Sequence, residues 1–98
     1  MNFMKSGCVY ILTNKPEGVL YIGVTSDLSA RIAQHRAGAV FSFTNRYNCH
    51  RLVWFEHFEN LHDARACEVR MKKWNRAWKI ARIVERNPQW RDLSGELL

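Results

Sequence analysis

Cys8-Val9-Tyr10-Ile11-Leu12-Thr13-Asn14-Lys15-Pro16-Glu17-Gly18-Val19-Leu20-Tyr21-Ile22-Gly23-Val24 is the stretch that decides the fold. Two runs rich in β-branched and aromatic residues flank a cluster of turn formers ending on glycine, the pattern of an antiparallel hairpin. Tyr10 and Tyr21 are equally far from the midpoint of that turn, which predicts that they stand opposite or nearly opposite each other. Side chains alternate faces along a strand, so both tyrosines fall on one face with Leu12 and Val19. Val9, Ile11, Leu20, Ile22 and Val24 take the other, an almost wholly aliphatic face expected to carry the main core. The two phenols are then expected along a groove or under partial cover.

Beyond the hairpin, Thr25 or Ser26 is placed to cap a helix from Asp27 to about Ala37, with Gly38 as its stop. Leu28, Ile32 and, at the edge, Ala33 supply its buried stripe, while Arg31 and His35, four apart, share a different face. Residues 39–49 show no clean period and read as a loop. His50 to Phe58 is apolar and aromatic, a third strand. Asn60 then caps a helix running to about Trp74 or Asn75. A last helix, Arg76 to Arg86, ends before Asn87-Pro88, because a residue preceding proline avoids helical angles. The tail from Gln89 to Leu98 carries too little pattern for an assignment. The order ββαβαα makes an α+β fold, a three-stranded antiparallel sheet flanked by helices.

Ninety-eight residues suit one domain over 1–98, with a core of about 7–88 and a tail over 89–98. Residues 1–6 contain no apolar run of secretory length and no stretch suits a membrane span. Cys8, Cys49 and Cys67 form an odd, widely spaced set without a CxxC pair. Both features point to a reducing, cytoplasmic setting. The net charge is +6 and the pI about 9.7, a surplus that commonly marks a polyanionic partner. Eight cations and three carboxylates lie from Glu68 to Asp92, so five of the six net charges belong to that quarter of the chain.

Glu68 is the residue hardest to explain by packing. The apolar stripe of its helix runs Leu61, Ala64, Cys67, Met71, Trp74, and Glu68 lies on its inward side or edge. A carboxylate there needs a cation, either an arginine at the rim or a divalent ion. With Cys8-Val9-Tyr10, ten intervening residues, Tyr21-Ile22-Gly23, a helical Arg31 and a later helical Glu68, the chain resembles the GIY-YIG nuclease superfamily from Tyr10 to Asn87. It looks closest to small stand-alone members, in Leu20-Tyr21-Ile22-Gly23-Val24-Thr25, Lys73 to Lys79 and Asn87 to Leu93. Cys8 replaces the first motif glycine, and Val24 stands where some members have a lysine.

The resemblance implies the same ββαβαα fold and endonuclease chemistry with one divalent ion, Mg²⁺ or Mn²⁺. It matches Tyr10 and Tyr21 to the motif tyrosines, Arg31 to a phosphate-binding arginine and Glu68 to the metal ligand. His35 matches a histidine one helical turn past the arginine, and Asn87 an asparagine near the end of the domain. The chemistry asks for these groups: an activated water, neutralised phosphate oxygens and a stabilised leaving oxygen. One tyrosine is expected to be the base and the other to orient water or phosphate; the residues leave open which. An ordinary phenol, with pKa about 10, is roughly 0.1% ionised at neutral pH, so that base needs help.

Arg70, Lys72, Lys73 and Arg76, with Asn87, are the expected nucleic-acid contacts. The expected substrate is DNA, branched, nicked or single-stranded, read with weak sequence preference, as in DNA repair. A nucleic-acid-binding module with little turnover is the alternative, and a protein partner on the tryptophan-rich last third is a further one. Zinc is set aside, because His50, His57 and His62 match no standard spacing. Trp74 and Trp78 are assigned to core packing rather than base stacking.

Overall fold

The computed structural model describes residues 5–38 and 42–97. Strands β1 (Gly7–Thr13), β2 (Leu20–Thr25) and β3 (Arg51–Phe58) form one antiparallel sheet in the order β2-β1-β3. Helices α1 (Leu28–Arg36) and α2 (Ser42–Tyr47) lie between β2 and β3, and α3 (Leu61–Lys73) and α4 (Arg76–Arg86) follow β3. The expected α+β order is present, with α2 added.

The hairpin register sets the two tyrosines diagonally, two residues from direct opposition. Tyr10 pairs with Gly23, and Tyr21 with Leu12. The turn closes through the Gly18 N–H donating to the Lys15 carbonyl at 2.9 Å, with Glu17 at a left-handed φ of 55°. Its centre therefore falls between Pro16 and Glu17, one residue later than the midpoint between the tyrosines. The two phenols still share a face, because a shift of two preserves alternation.

Both faces of the sheet are covered. Val9, Ile11, Ile22, Val53 and Trp54 pack beneath Ala64, Cys67 and Met71 of α3, Ile83 of α4 and Trp90. Val53 and Trp54 are sequence neighbours, yet both join this cluster. A register shift opposite Ile11 and Leu12 explains it, since a bulge breaks the alternation. On the other face Tyr10, Leu12 and Leu52 pack against Leu28 and Ile32 of α1 and Cys49, with Leu93 and Leu97 partly covering them. Tyr10 is thus buried, more than the expected groove position allowed, while Tyr21 is half-buried.

Caps set the helix starts. Asn60 accepts from the Asp63 N–H at 2.7 Å as expected, and Asn75 accepts from the Trp78 N–H at 2.9 Å. At α1 the cap is Asp27, which accepts from the Ala30 N–H. Thr25, an expected cap, instead accepts from the Asp27 N–H one step earlier.

The segment expected to be a loop over 39–49 contains α2; residues 39–41 lie outside the described residues. Asn48, at φ 55°, lets the Cys49 N–H turn back to the Thr44 carbonyl at 3.0 Å, a helix stop that an apolar-period search does not register. The tail is ordered by contacts rather than by pattern. Trp90 enters the core, Asp92 accepts from the Leu52 N–H and pairs with Arg36, and residues Leu93–Leu97 form a 3₁₀ turn.

Candidate active site

The site is built on the β1–β2 face that carries the phenols. Opposite Tyr10 stands Gly23, and a Cβ added there would lie 2.5 Å from Tyr10 Cζ. The tyrosine ring lies directly over the glycine, and the close approach explains why a side chain is missing at that register position. Tyr21 is the diagonal neighbour, its ring centroid 6.3 Å from that of Tyr10. His35, from the last turn of α1, meets both rings edge-on at 5.9 and 5.6 Å.

Tyr10 and His35 are each 2% exposed. Tyr10 Oη lies 3.0 Å from His35 Nε2, and His35 Nδ1 lies 3.0 Å from Thr44 Oγ1 on α2. Burial, then the nearby Arg31 and His50, hold the His35 pKa below its usual value, so the ring is neutral near pH 7. A neutral imidazole donates through one nitrogen and accepts through the other. The Tyr10 and Thr44 hydroxyls therefore take opposite roles toward it, and the three groups form one directional chain.

Tyr10 also senses the rest of the constellation. Burial pushes its phenol well above the usual range, and Tyr21 and the Glu68 carboxylate push the same way, while the Arg31 guanidinium pulls it down. The structure thus brings Tyr10, Tyr21 and His35 into contact and sets Arg31 and Glu68 within electrostatic reach.

Glu68 projects from α3, its side chain 16% exposed, and pairs with Lys72 Nζ at 2.9 Å. Lys72, expected to meet DNA, is here the cation that offsets the carboxylate. Its side chain is 53% exposed, so it can swing into solvent and release the oxygens. Among the described residues no group of three or more histidine, cysteine or acidic side chains is arranged around a metal position. A lone hard carboxylate at a solvent-reachable edge does fit Mg²⁺ or Mn²⁺, ions that keep several waters and take remaining oxygens from a phosphate.

Other expected contacts sit elsewhere. Arg76 donates through Nη2 to the Glu17 and Gly18 carbonyls, both at 2.6 Å, which stakes the start of α4 to the hairpin turn. Asn87 is buried and donates to the Val53 and Arg91 carbonyls while accepting from the Arg91 N–H. Its side-chain polar atoms are engaged on the backbone of β3 and of the tail, so it holds the chain after α4. Arg70 and Lys73 are exposed on α3. Trp74 packs partly against the core, but Trp78, assigned to core packing, is 60% exposed. Thr44 escaped sequence reasoning altogether, since a threonine in an aperiodic segment gives no signal of its own.

The fold and its sequence place the chain in a nuclease family. The model of the GIY-YIG catalytic domain matches residues 6–81, and the chain belongs to the GIY-YIG family, whose nucleases generally depend on a divalent metal ion. Among its relatives is a UPF0213 protein of Clostridium perfringens, 38% identical over 79 residues that make up 81% of this chain and 84% of the relative. A UPF0213 protein of Staphylococcus haemolyticus is 36% identical, covering 80% and 94%. The solution NMR structure of a UPF0213 protein from Bacillus halodurans superposes with a TM-score of 0.56 at 26% identity, covering 89% of this chain and 92% of that one. No helix among the described residues is long and apolar enough to cross a membrane.

Proposed function

We propose that the protein is a metal-dependent endonuclease that hydrolyses DNA phosphodiester bonds with weak sequence preference. The observation that carries the reading is the environment of Tyr10, where a second tyrosine, a histidine, an arginine and a carboxylate from three separate elements, β2, α1 and α3, all act on one phenol. Arg31 offers a planar fork for two phosphate oxygens. Glu68 is the residue that holds the ion, which when bound supplies Lewis-acid polarisation of the scissile phosphate.

The two tyrosines divide the remaining work by burial. A phenolate is needed to take the proton of the attacking water, and burial disfavours that charge at Tyr10. Tyr21, half-buried at the edge strand, is therefore assigned as the proton acceptor. Tyr10, tied to His35, fixes where Tyr21 and Arg31 stand. Branched, nicked or single-stranded DNA of the kind handled in repair is the proposed substrate, with the reducing cytoplasm as the setting, in keeping with three unpaired cysteines.

Incubation with plasmid and branched DNA, with Mg²⁺ or Mn²⁺ and with chelator, tests the reading. We expect metal-dependent cutting that falls at least about 100-fold in Glu68→Ala and Arg31→Ala, the scale of losing one charge-stabilising group. Cutting that persists in either variant would remove the proposed site. A second reading, a DNA-binding module without turnover, is favoured by the Glu68–Lys72 pair. Salt-dependent binding with no product under either metal would select it.

A further inference from the structure

Trp78 is a large apolar side chain in the most basic part of the chain, and it is left largely in solvent. Together with Trp74, Ala81, Arg82 and Glu85 it lines an open groove of about 240 Å³ along α4. That volume is below the range of pockets for drug-sized ligands, about 300–1,000 Å³, and suits one flat ring system. The groove is stiffened from within. Trp74 meets Trp78 edge-on at 6.3 Å, and the Arg82 guanidinium sits 5.0 Å over the Trp74 ring.

The surroundings specify the occupant. The last turn of α3 contributes Arg70, Lys72 and Lys73 immediately before Trp74. Arg70 and Arg82 both lie within electrostatic reach of the Cys67 thiol on α3. A polyanion is drawn to this side. Protein interfaces deplete acidic side chains at their centre, whereas Glu85 lies in the lining itself. An exposed aromatic face beside arginines is instead the arrangement that holds unpaired bases, by stacking on the ring while cations follow the backbone. Glu85 repels phosphate, but it offers an acceptor to the amino edge of a base.

We infer that the Trp74–Trp78 groove binds an unpaired base of single-stranded or branched DNA, stacked on Trp78 with its backbone on Arg82 and Arg70. The inference deepens the DNA-processing reading and rests on it for the kind of strand. The groove makes the protein selective for unpaired DNA, and none of its lining residues is among those assigned to hydrolysis.

The test measures binding in chelator, by anisotropy, of a labelled 15-nucleotide single strand and of the blunt duplex of the same sequence. Trp78→Ala is expected to weaken single-strand binding about 10- to 100-fold, the usual effect of removing one stacking ring, and duplex binding less than about 2-fold. Trp78→Phe should recover part of the loss. The salt slope should stay unchanged in both, because no charge is removed. Arg82→Gln should weaken binding and flatten that slope. Equal loss on both DNAs, or no loss, overturns the groove assignment. So does wild-type protein that is dimeric by light scattering and becomes monomeric in Trp78→Ala, since the groove would then be a self-interface. Cleavage with unaltered Trp78→Ala binding discards the groove and keeps the enzyme; selective loss without cleavage by any form does the reverse.

Discussion

Gly23 and Tyr10 face each other across the hairpin, and the phenol occupies the space a methyl group at position 23 would need. Gly23→Ala must therefore push the ring off the strand or spread β1 from β2. We expect a loss of about 1–3 kcal/mol, typical of one carbon too many in a filled space. We also expect the Tyr10–His35 bond to break, since the ring has no second place to go. Thermal melting gives the first quantity, and the His35 ring resonances in NMR report the second. A variant that melts normally with unmoved His35 signals would show the contact to be soft. Sequence inspection singles out the same glycine through its motif but supplies no reason for it. The reason lies in a register that depends on whether the turn centres before or after Pro16.

At the level of elements, Asn87 links more than its position suggests. It ties the end of α4 to β3 through the Val53 carbonyl and to the tail through both polar atoms of the Arg91 backbone. Asn87→Ala leaves buried backbone groups without partners, which costs about 2–4 kcal/mol. For a chain of this size that lowers Tm by on the order of 10–20 °C. Below the new Tm, metal-dependent cutting should be unchanged, which separates a holding role from a DNA contact. A large cutting defect in well-folded Asn87→Ala protein would restore it to the site. Strands and capped helices were legible because hydrophobic period and caps are local: Asn60 and the β1–β2 runs declare themselves. α2 was not, because its local stop at Asn48 leaves no apolar period, and the tail was not, because it is stabilised by partners far away in sequence, Asp92 with Arg36 and Trp90 with the core. Within the site the legibility is similarly divided. Tyr10, Tyr21, Arg31 and Glu68 were marked by spacing and family likeness, whereas Thr44 and the exposure of Trp78 depend on how the elements pack.

For the molecule as a whole, acid sensitivity follows from its buried imidazole. The His35 pKa is lower folded than unfolded, so just below the ordinary value of about 6.5 the unfolded chain binds a proton that the native state refuses. Stability is then full above that value and declines as pH falls, by at most about 1.4 kcal/mol per pH unit for one site. Asp92 adds its loss later. Burial opposes ionisation there, but hydrogen bonds from Ser94 and the Arg36 charge outweigh it and hold the pKa below the usual carboxylate value. Its contribution is therefore present above about pH 3.9 and fades beneath it. Denaturant melts from pH 7.5 to 5 should show the decline, and His35→Gln should flatten it. An equally steep decline in His35→Gln would assign the acid sensitivity to another group.

Arg76 grips two carbonyls of the hairpin turn, which makes the strand pair and the base of α4 a single stiff frame. A nucleotide captured on the helix and a phosphate held beside the strands would then be spaced by a fixed span, like marks on a ruler. Scission sites on a flexible DNA arm would cluster at one offset from the captured nucleotide, whatever its sequence.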